Sequence, residues 1–176
     1  MNLTKDVINL NNKQFKYPDT AAYDYVIKAL AAKGVTYKDI AQIAYQMQSV
    51  FIDNLDLKEV EKDTIDVLHK REVLNNAMVG LELDRLTTEG QLSEPLEAII
   101  QNDSGVFGVD EGLALNIANI YGTIGVTNYG YIDRDKVGII KKLDEDKDEQ
   151  VSNTFIDDLI GAIASAVSAK VAHRYN

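Results

Sequence analysis

From Ser152 to His173 the chain reads SNTFIDDLIGAIASAVSAKVAH, and no charged residue stands between Leu159 and Ala169. Ser152, Asn153 and Thr154 are three successive candidates for a helix N-cap, since each side chain can accept a hydrogen bond from the free N–H groups of a first turn. At about 100° per residue, Phe155, Leu159, Ile160, Ile163, Val167 and Val171 fall on one broad face. Gly161, Ala162, Ala164, Ser165, Ser168, Ala169 and Ala172 occupy the other. A solvent-facing helix would carry lysine and glutamate where these small residues stand. The segment is therefore expected to run through the middle of the fold, with large side chains packing one side and neighbouring backbone approaching closely on the other. Asp157 and Asp158 sit near its start, toward the small-residue side. Paired negative charge in so apolar a setting is costly unless protons, a cation or water compensate it.

The rest of the pattern supplies helices to surround this one. Asp19 or Thr20 opens a helix that runs to about Lys33, with Gly34 in the usual position just past a helix end. Thr36 opens the next, with Ile40, Ile43, Ala44, Met47 and Phe51 on one face. Asp56 and Glu59 have the spacing of a capping box, and helical periodicity then persists to about Thr88. A run of about 30 residues is long for a globular helix, so a break is expected near His69–Glu72. A short helix follows Ser93 with Pro95 in its first turn, 103–108 reads as a turn-rich loop, and Val109–Tyr121 is helical again. The glycines and aromatics of Gly122–Gly138 would fit a strand and turn, but a single strand would have no partner. That segment is read as helical or irregular, wrapped against the bundle, and Asp144–Gln150 as a solvated charged loop. With two prolines in 176 residues, the expected fold is all-α. It is a single helical-bundle domain of about six or seven helices with a buried central C-terminal helix and a polar arm over residues 1–18.

Composition narrows the function. A net charge of −10 leaves no basic stripe to displace counterions, which excludes nucleic acid as a partner. The absence of cysteine removes disulfides, thiolate catalysis and zinc–sulfur sites. No run approaches the ~20 apolar residues that span a bilayer, and MNLTKDVINLNNKQF lacks the basic-then-apolar order of a signal peptide. The expected location is cytoplasmic, at most peripheral to the inner face of the membrane. The small-residue face of the last helix could pack within the subunit or across a homo-oligomer.

Three acidic clusters stand out through their neighbours. Asp110 and Glu111 open the helix whose apolar stripe is Leu113, Ala114, Ile117, Ile120 and Tyr121, and Asp110 projects into that stripe. Asp133 follows the apolar stretch Tyr129–Ile132, and Asp157-Asp158 opens the central helix. Each has a local explanation: a carboxylate near a helix N-terminus complements the macrodipole, and a loop aspartate makes turn hydrogen bonds. Jointly they suggest a site. Adjacent helical residues diverge by about 100°, so one carboxylate of each pair should reach a shared point, giving three inward oxygens with Asp133. Oxygen donors without histidine or cysteine suit Mg²⁺, or Mn²⁺ as the alternative. Lys70, Arg71, Arg134 and Lys136 are the basic candidates for an anionic substrate, while His69 and His173 read as structural. Asn76 and Asp84 could line a polar pocket but more simply satisfy backbone groups.

Two motifs mislead. Asp144-x-Asp146-x-Asp148 starts like an EF-hand loop, but its sixth position is Glu149 and its twelfth Phe155, where glycine and glutamate belong. Tyr131-Ile-Asp133-Arg-Asp135-Lys-Val137 imitates the nucleophile strand of haloacid-dehalogenase-type phosphatases, which requires a parallel sheet that this chain does not offer.

The segments VDEGLAL (109–115), YIDRDK (131–136) and TFIDDLIGAIAS (154–165) resemble the bacterial phosphatidylglycerophosphatase A family. HKREVLNNAMVGLELD (69–84) and YGTIGVTNYGYID (121–133) extend the resemblance to its soluble Gram-positive branch, the low-temperature-requirement C proteins. The resemblance implies a helical bundle and Mg²⁺-dependent hydrolysis of phosphatidylglycerophosphate to phosphatidylglycerol and phosphate. It also implies an acidic metal site of Asp110, Glu111, Asp133, Asp157 and Asp158, with Asp110 and Asp158 central to catalysis. Lys136 would stand beside the phosphate; Arg71, from the basic candidates above and not from the resemblance, is the second expected substrate contact. Val137 stands where that family has proline, and the transmembrane helices of its membrane-bound members are missing. Two alternatives stay open: a non-catalytic metal- or ligand-binding bundle, and a phosphatase of a soluble phosphate-bearing small molecule rather than a lipid head group.

Overall fold

The computed structural model describes residues 15–145 and 151–175. Most of the expected arm (1–14) and most of the charged loop (146–150) lie outside them. Among the described residues there are nine α-helices, one 3-10 turn and no strand. Helix α1 (Asp19–Ala32) is followed by α2 (Tyr37–Gln48), α3 (Leu57–Leu68), α4 (Arg71–Thr88) and α5 (Leu96–Gln101). Then come α6 (Val109–Ala118), the 3-10 turn Asn119–Tyr121, α7 (Thr123–Asp135), α8 (Ile139–Glu145) and α9 (Ile156–Tyr175).

Local chemistry sets most boundaries. Gly34 takes φ +73° at the end of α1, and Val35 N–H bonds back to the Leu30 carbonyl at 3.0 Å. That closes the turn with Leu30 and Val35 both buried. Thr36 and Asp39 form a complete capping box on α2. Asp56 caps α3 through Lys58 N–H at 2.9 Å, but the expected reciprocal partner, Glu59, faces Arg174 and accepts from the Tyr175 hydroxyl. The long periodic stretch breaks where its length suggested, with His69 ending α3 and an extended Lys70 (ψ 131°) preceding α4. The ambiguous 122–138 segment is helical as α7. Of its two internal glycines, Gly125 has a steric reason: a Cβ there would lie 2.0 Å from the Ala118 carbonyl oxygen at the end of α6.

Helix α9 is the axis, packing against α2, α3, α4, α6, α7 and α8. Every residue from Ile156 to Ala169 is buried, and each large apolar side chain on it contributes about 2 kcal/mol of transfer free energy. The small-residue face admits neighbours as expected: a Cβ on Gly161 would meet Ile132 Cγ2 of α7 at 3.2 Å. Gly80 of α4 provides the same clearance, where a Cβ would come 2.8 Å from Leu159 Cδ1.

The entry to α9 departs from expectation. Ser152, Asn153 and Thr154 are used differently from caps. Ser152 Oγ donates to Asp84 Oδ1 at 2.9 Å, Thr154 Oγ1 donates to the Ile100 carbonyl at 2.7 Å, and Asn153 Oδ1 accepts from Lys33 Nζ at 2.7 Å. The first N–H groups of the helix are satisfied from α4 instead: Asp84 accepts from Phe155 N–H and Ile156 N–H at 3.0–3.2 Å. A carboxylate on another helix does the capping, which locks α9 to α4 while serving backbone groups. Burial pushes the Asp84 carboxyl up to about 7 despite these donors.

Candidate metal centre

Three helix ends meet at the start of α9. Helix α6 presents Asp110 and Glu111 in its first turn, and α9 presents Asp157 and Asp158 in its own. Helix α7 presents Asp133 in its last turn and Lys136 as its C-cap. The α6 and α9 carboxylates thus stand at positive macrodipole ends and Lys136 at a negative one, each the favourable pairing, whereas Asp133 stands at the negative end of α7 and is held by Lys136. Lys136 adopts φ 42° and ψ 72°, a left-handed conformation that costs an L-residue about 1 kcal/mol and usually falls to glycine. The ammonium offsets that strain. Its Nζ lies 2.9 Å from Asp133 Oδ1, 3.0 Å from Asp157 Oδ2 and 3.7 Å from Asp158 Oδ1. Burial works against the charge, but Asp157, Asp133 and Asp158 outweigh it and hold the Lys136 pKa above its usual range.

One ammonium does not neutralise this site. Asp110, Glu111 and Asp158 each place a carboxylate oxygen within 4.8 Å of the others. Asp110 and Asp158 are 7% and 6% exposed. Burial, followed by the neighbouring Glu111 carboxyl, pushes Asp110 up to about 7. Burial, followed by the charge of Asp157, pushes Asp158 up to about 8 against the pull of Lys136. Asp157 is raised by burial as well, with Lys136 opposing. Burial and mutual repulsion thus favour the protonated forms of these carboxyls.

Hydrogen-bond accounting gives the sharper signal. Buried hydroxyls elsewhere on α9 are paired: Ser168 Oγ accepts from Gln48 Nε2 at 2.7 Å and Asn128 Nδ2 at 3.0 Å, and Ser165 Oγ donates to the Gly161 carbonyl. Among the described residues, three buried side-chain polar atoms lack a partner: Asp110 Oδ1, Glu111 Oε2 and the Tyr129 hydroxyl. All three belong to this cluster. An unpaired buried polar atom costs about 1–3 kcal/mol, and one group bound at this point could satisfy all three. The donor set is all oxygen and anionic, which fits a hard divalent cation.

The expected residues divide into two groups. Asp110, Glu111 and Asp158 converge, whereas Asp133 and Asp157 hold Lys136. The rule of one carboxylate per pair describes Asp157 and Asp158, of which Asp158 alone joins the cluster although both lie near Lys136. It fails at Asp110 and Glu111, because the extra methylene of glutamate lets both reach the same point. Arg71 is seated elsewhere: it is bidentate to Asp19 at 2.7 and 2.8 Å and lies over the Tyr17 ring, leaving Lys136 as the cation at the cluster. His69 stacks on Tyr23, and His173 Nε2 lies 3.0 Å from the Tyr121 carbonyl, both structural roles. Two nearby residues carry no clear mark in the sequence. Asp103, at φ +43° in the loop before α6, lies in the field of Lys136 and Glu111; burial raises its pKa, with Asp144 and Glu111 adding to the rise and Lys136 opposing it. Tyr129 is buried beside Asp158, and burial and then that carboxylate hold its phenol far above the usual range. Its spacing of four from Asp133 would have shown it once 123–135 was assigned as a helix.

Fold and site together define an all-helical bundle with a buried acidic centre that could hold a metal. The chain belongs to the phosphatidylglycerophosphatase A family, which it matches over residues 26–173, a span that includes every carboxylate of the cluster. It is similar to YutG of Bacillus subtilis, with 42% identity over 93% of this chain and 95% of that one. Among solved structures, it is similar to the low temperature requirement C protein of Listeria monocytogenes, with 42% identity and a TM-score of 0.84 over 88% of this chain and 97% of that one. The ypjQ protein of Bacillus subtilis gives 38% identity and a TM-score of 0.84 over 90% and 98%. Among the described residues, no helix is long and apolar enough to cross a membrane.

Proposed function

We propose that the protein is a Mg²⁺-dependent phosphatase that cleaves the phosphomonoester of phosphatidylglycerophosphate, giving phosphatidylglycerol and phosphate. Family membership supports the reaction class. The observation that carries the site is the grouping of unpartnered buried polar atoms on Asp110, Glu111 and Tyr129 beside Asp158. Asp110, Glu111 and Asp158 would hold the ion, with Mn²⁺ able to replace Mg²⁺. When bound, the ion supplies neutralisation of the phosphoryl oxygens and acidification of the attacking water.

The remaining steps belong to the chain's own residues. Lys136, steadied by Asp133 and Asp157, stands as the fixed positive charge beside the phosphoryl group. One of the carboxylates that does not hold the ion would accept the proton that water gives up as its oxygen bonds to phosphorus. The bond between phosphorus and the glycerol oxygen breaks, and that oxygen is reprotonated as the alcohol leaves. The test is Mg²⁺-dependent phosphate release from phosphatidylglycerophosphate in detergent micelles, beside a panel of soluble phosphoesters. Asp110→Asn should lower the rate at least tenfold with helicity retained. A variant that matches the wild type after metal removal and restoration would sink the proposal, and preferential turnover of a soluble ester would replace the lipid substrate.

A further inference from the structure

Tyr129 has no part in the roles above, yet its surroundings call for one. The residue is 4% exposed and lies on α7 four positions before Asp133, which puts both on one helix face. Its ring packs beside α9, where a Cβ on Gly161 would sit 3.7 Å from Tyr129 Cδ2, so the ring is confined. The hydroxyl is beside Asp158 but makes no hydrogen bond of normal geometry. A buried phenol normally finds a partner, and among the described residues the two other atoms in this condition are the Asp110 and Glu111 carboxylate oxygens.

An inventory of donors gives the hydroxyl a task. Ionised carboxylates only accept hydrogen bonds, so Asp110, Glu111, Asp133, Asp157 and Asp158 cannot bind phosphoryl oxygens directly. The Lys136 ammonium is already shared among three carboxylates. Among the described residues, the Tyr129 hydroxyl is a buried donor at the cluster that interacts with Asp158 but makes no hydrogen bond of normal geometry, and it is fixed in place and shielded from solvent. A preorganised donor in such a site is worth more than in water, because it needs no reorientation when the ligand arrives. We propose that Tyr129 is a substrate-binding residue whose hydroxyl donates a hydrogen bond to a phosphoryl oxygen of the bound phosphomonoester, an inference that rests on the phosphatase reading above.

Tyr129→Phe removes the donor and keeps the ring. Titration calorimetry on the full chain would measure Mg²⁺ binding, and then inorganic phosphate binding to the Mg²⁺-loaded protein, for wild type and variant. The expected result is Mg²⁺ affinity within about twofold of wild type and phosphate affinity weakened about tenfold, the size of one good hydrogen bond to a charged group. The variant's thermal midpoint should be equal or higher, because an unpartnered buried hydroxyl has been removed. Unchanged phosphate affinity would overturn the inference. So would an equal loss of Mg²⁺ affinity, which would make the hydroxyl a support for Asp158, or a lowered midpoint, which would make it a structural partner. A wild-type protein that binds neither Mg²⁺ nor phosphate would instead overturn the phosphatase reading, and the inference with it.

Discussion

Replacing Asp158 with asparagine should stabilise the cation-free protein and at the same time remove its response to Mg²⁺. The carboxyl is 6% exposed and pushed up to about 8 in the folded chain, from an ordinary value of 3.8. The unfolded chain ionises first, so this group takes stability away as pH rises above 3.8, and the loss is complete only once pH passes the folded value near 8. At pH 7 the cost is about 1.4 kcal/mol for each of roughly three pH units, a ceiling of about 4 kcal/mol. Relaxation and water entry at a coupled site reduce it, and about 2 kcal/mol is the working expectation. For a domain of this size that is a rise of about 4–8 °C in Tm. Asparagine reproduces the shape of the protonated acid and titrates in neither state, so it recovers this energy. Mg²⁺ at about a hundredfold above its Kd should add about 2.7 kcal/mol to the wild type, and far less to the variant, which lacks one of three ligands. Thermal unfolding followed by circular dichroism, in EDTA and in saturating Mg²⁺, should show the variant ahead in the first condition and the gap closed or reversed in the second. If the variant gains nothing in EDTA, or shifts with Mg²⁺ as much as the wild type, the account of a proton-compensated cation site is refuted.

Mg²⁺ affinity should climb with pH through the range from about 6 to about 9, because Asp110 near 7 and Asp158 near 8 hold protons that the cation must displace. Calorimetry in buffers of different ionisation enthalpy would count the released protons, and an affinity independent of pH would refute the coupling. Away from the site, Gly125→Ala should cost about 3 kcal/mol or more, since its Cβ would lie 2.0 Å from a backbone oxygen that cannot move without shifting α6. Chemical denaturation would measure it, and a loss under about 1 kcal/mol, ordinary for a surface site, would show that the α6–α7 contact is looser than described.

The central helix could be read from the sequence because one physical rule governed it. A run that excludes charge on every face has to be buried, and α9 is. The acidic positions were legible for a related reason: Asp110 and Asp158 each stand among apolar neighbours, where charge requires compensation. What the sequence hid depends on tertiary partners. Ser152, Asn153 and Thr154 have the chemistry of caps, but Asp84, some seventy positions away, reaches the α9 N–H groups first. Glu59 has capping-box spacing but finds Tyr175. Helix α7 was obscured by its glycines, which lower helix propensity; Gly125 is required by the close pass of α6. With α7 uncertain, the shared face of Tyr129 and Asp133 was invisible. Arg71 looked like a free cation until the fold brought Asp19 to it.

The most direct measurement is a crystal structure with Mn²⁺ soaked or grown in, using the anomalous signal of the ion. The account predicts an ion bound by oxygens of Asp110, Glu111 and Asp158 at about 2.1–2.2 Å, with Lys136 still held by Asp133 and Asp157. An ion bound only at exposed acids, with Asp110 Oδ1 and Glu111 Oε2 still unpartnered, would contradict it.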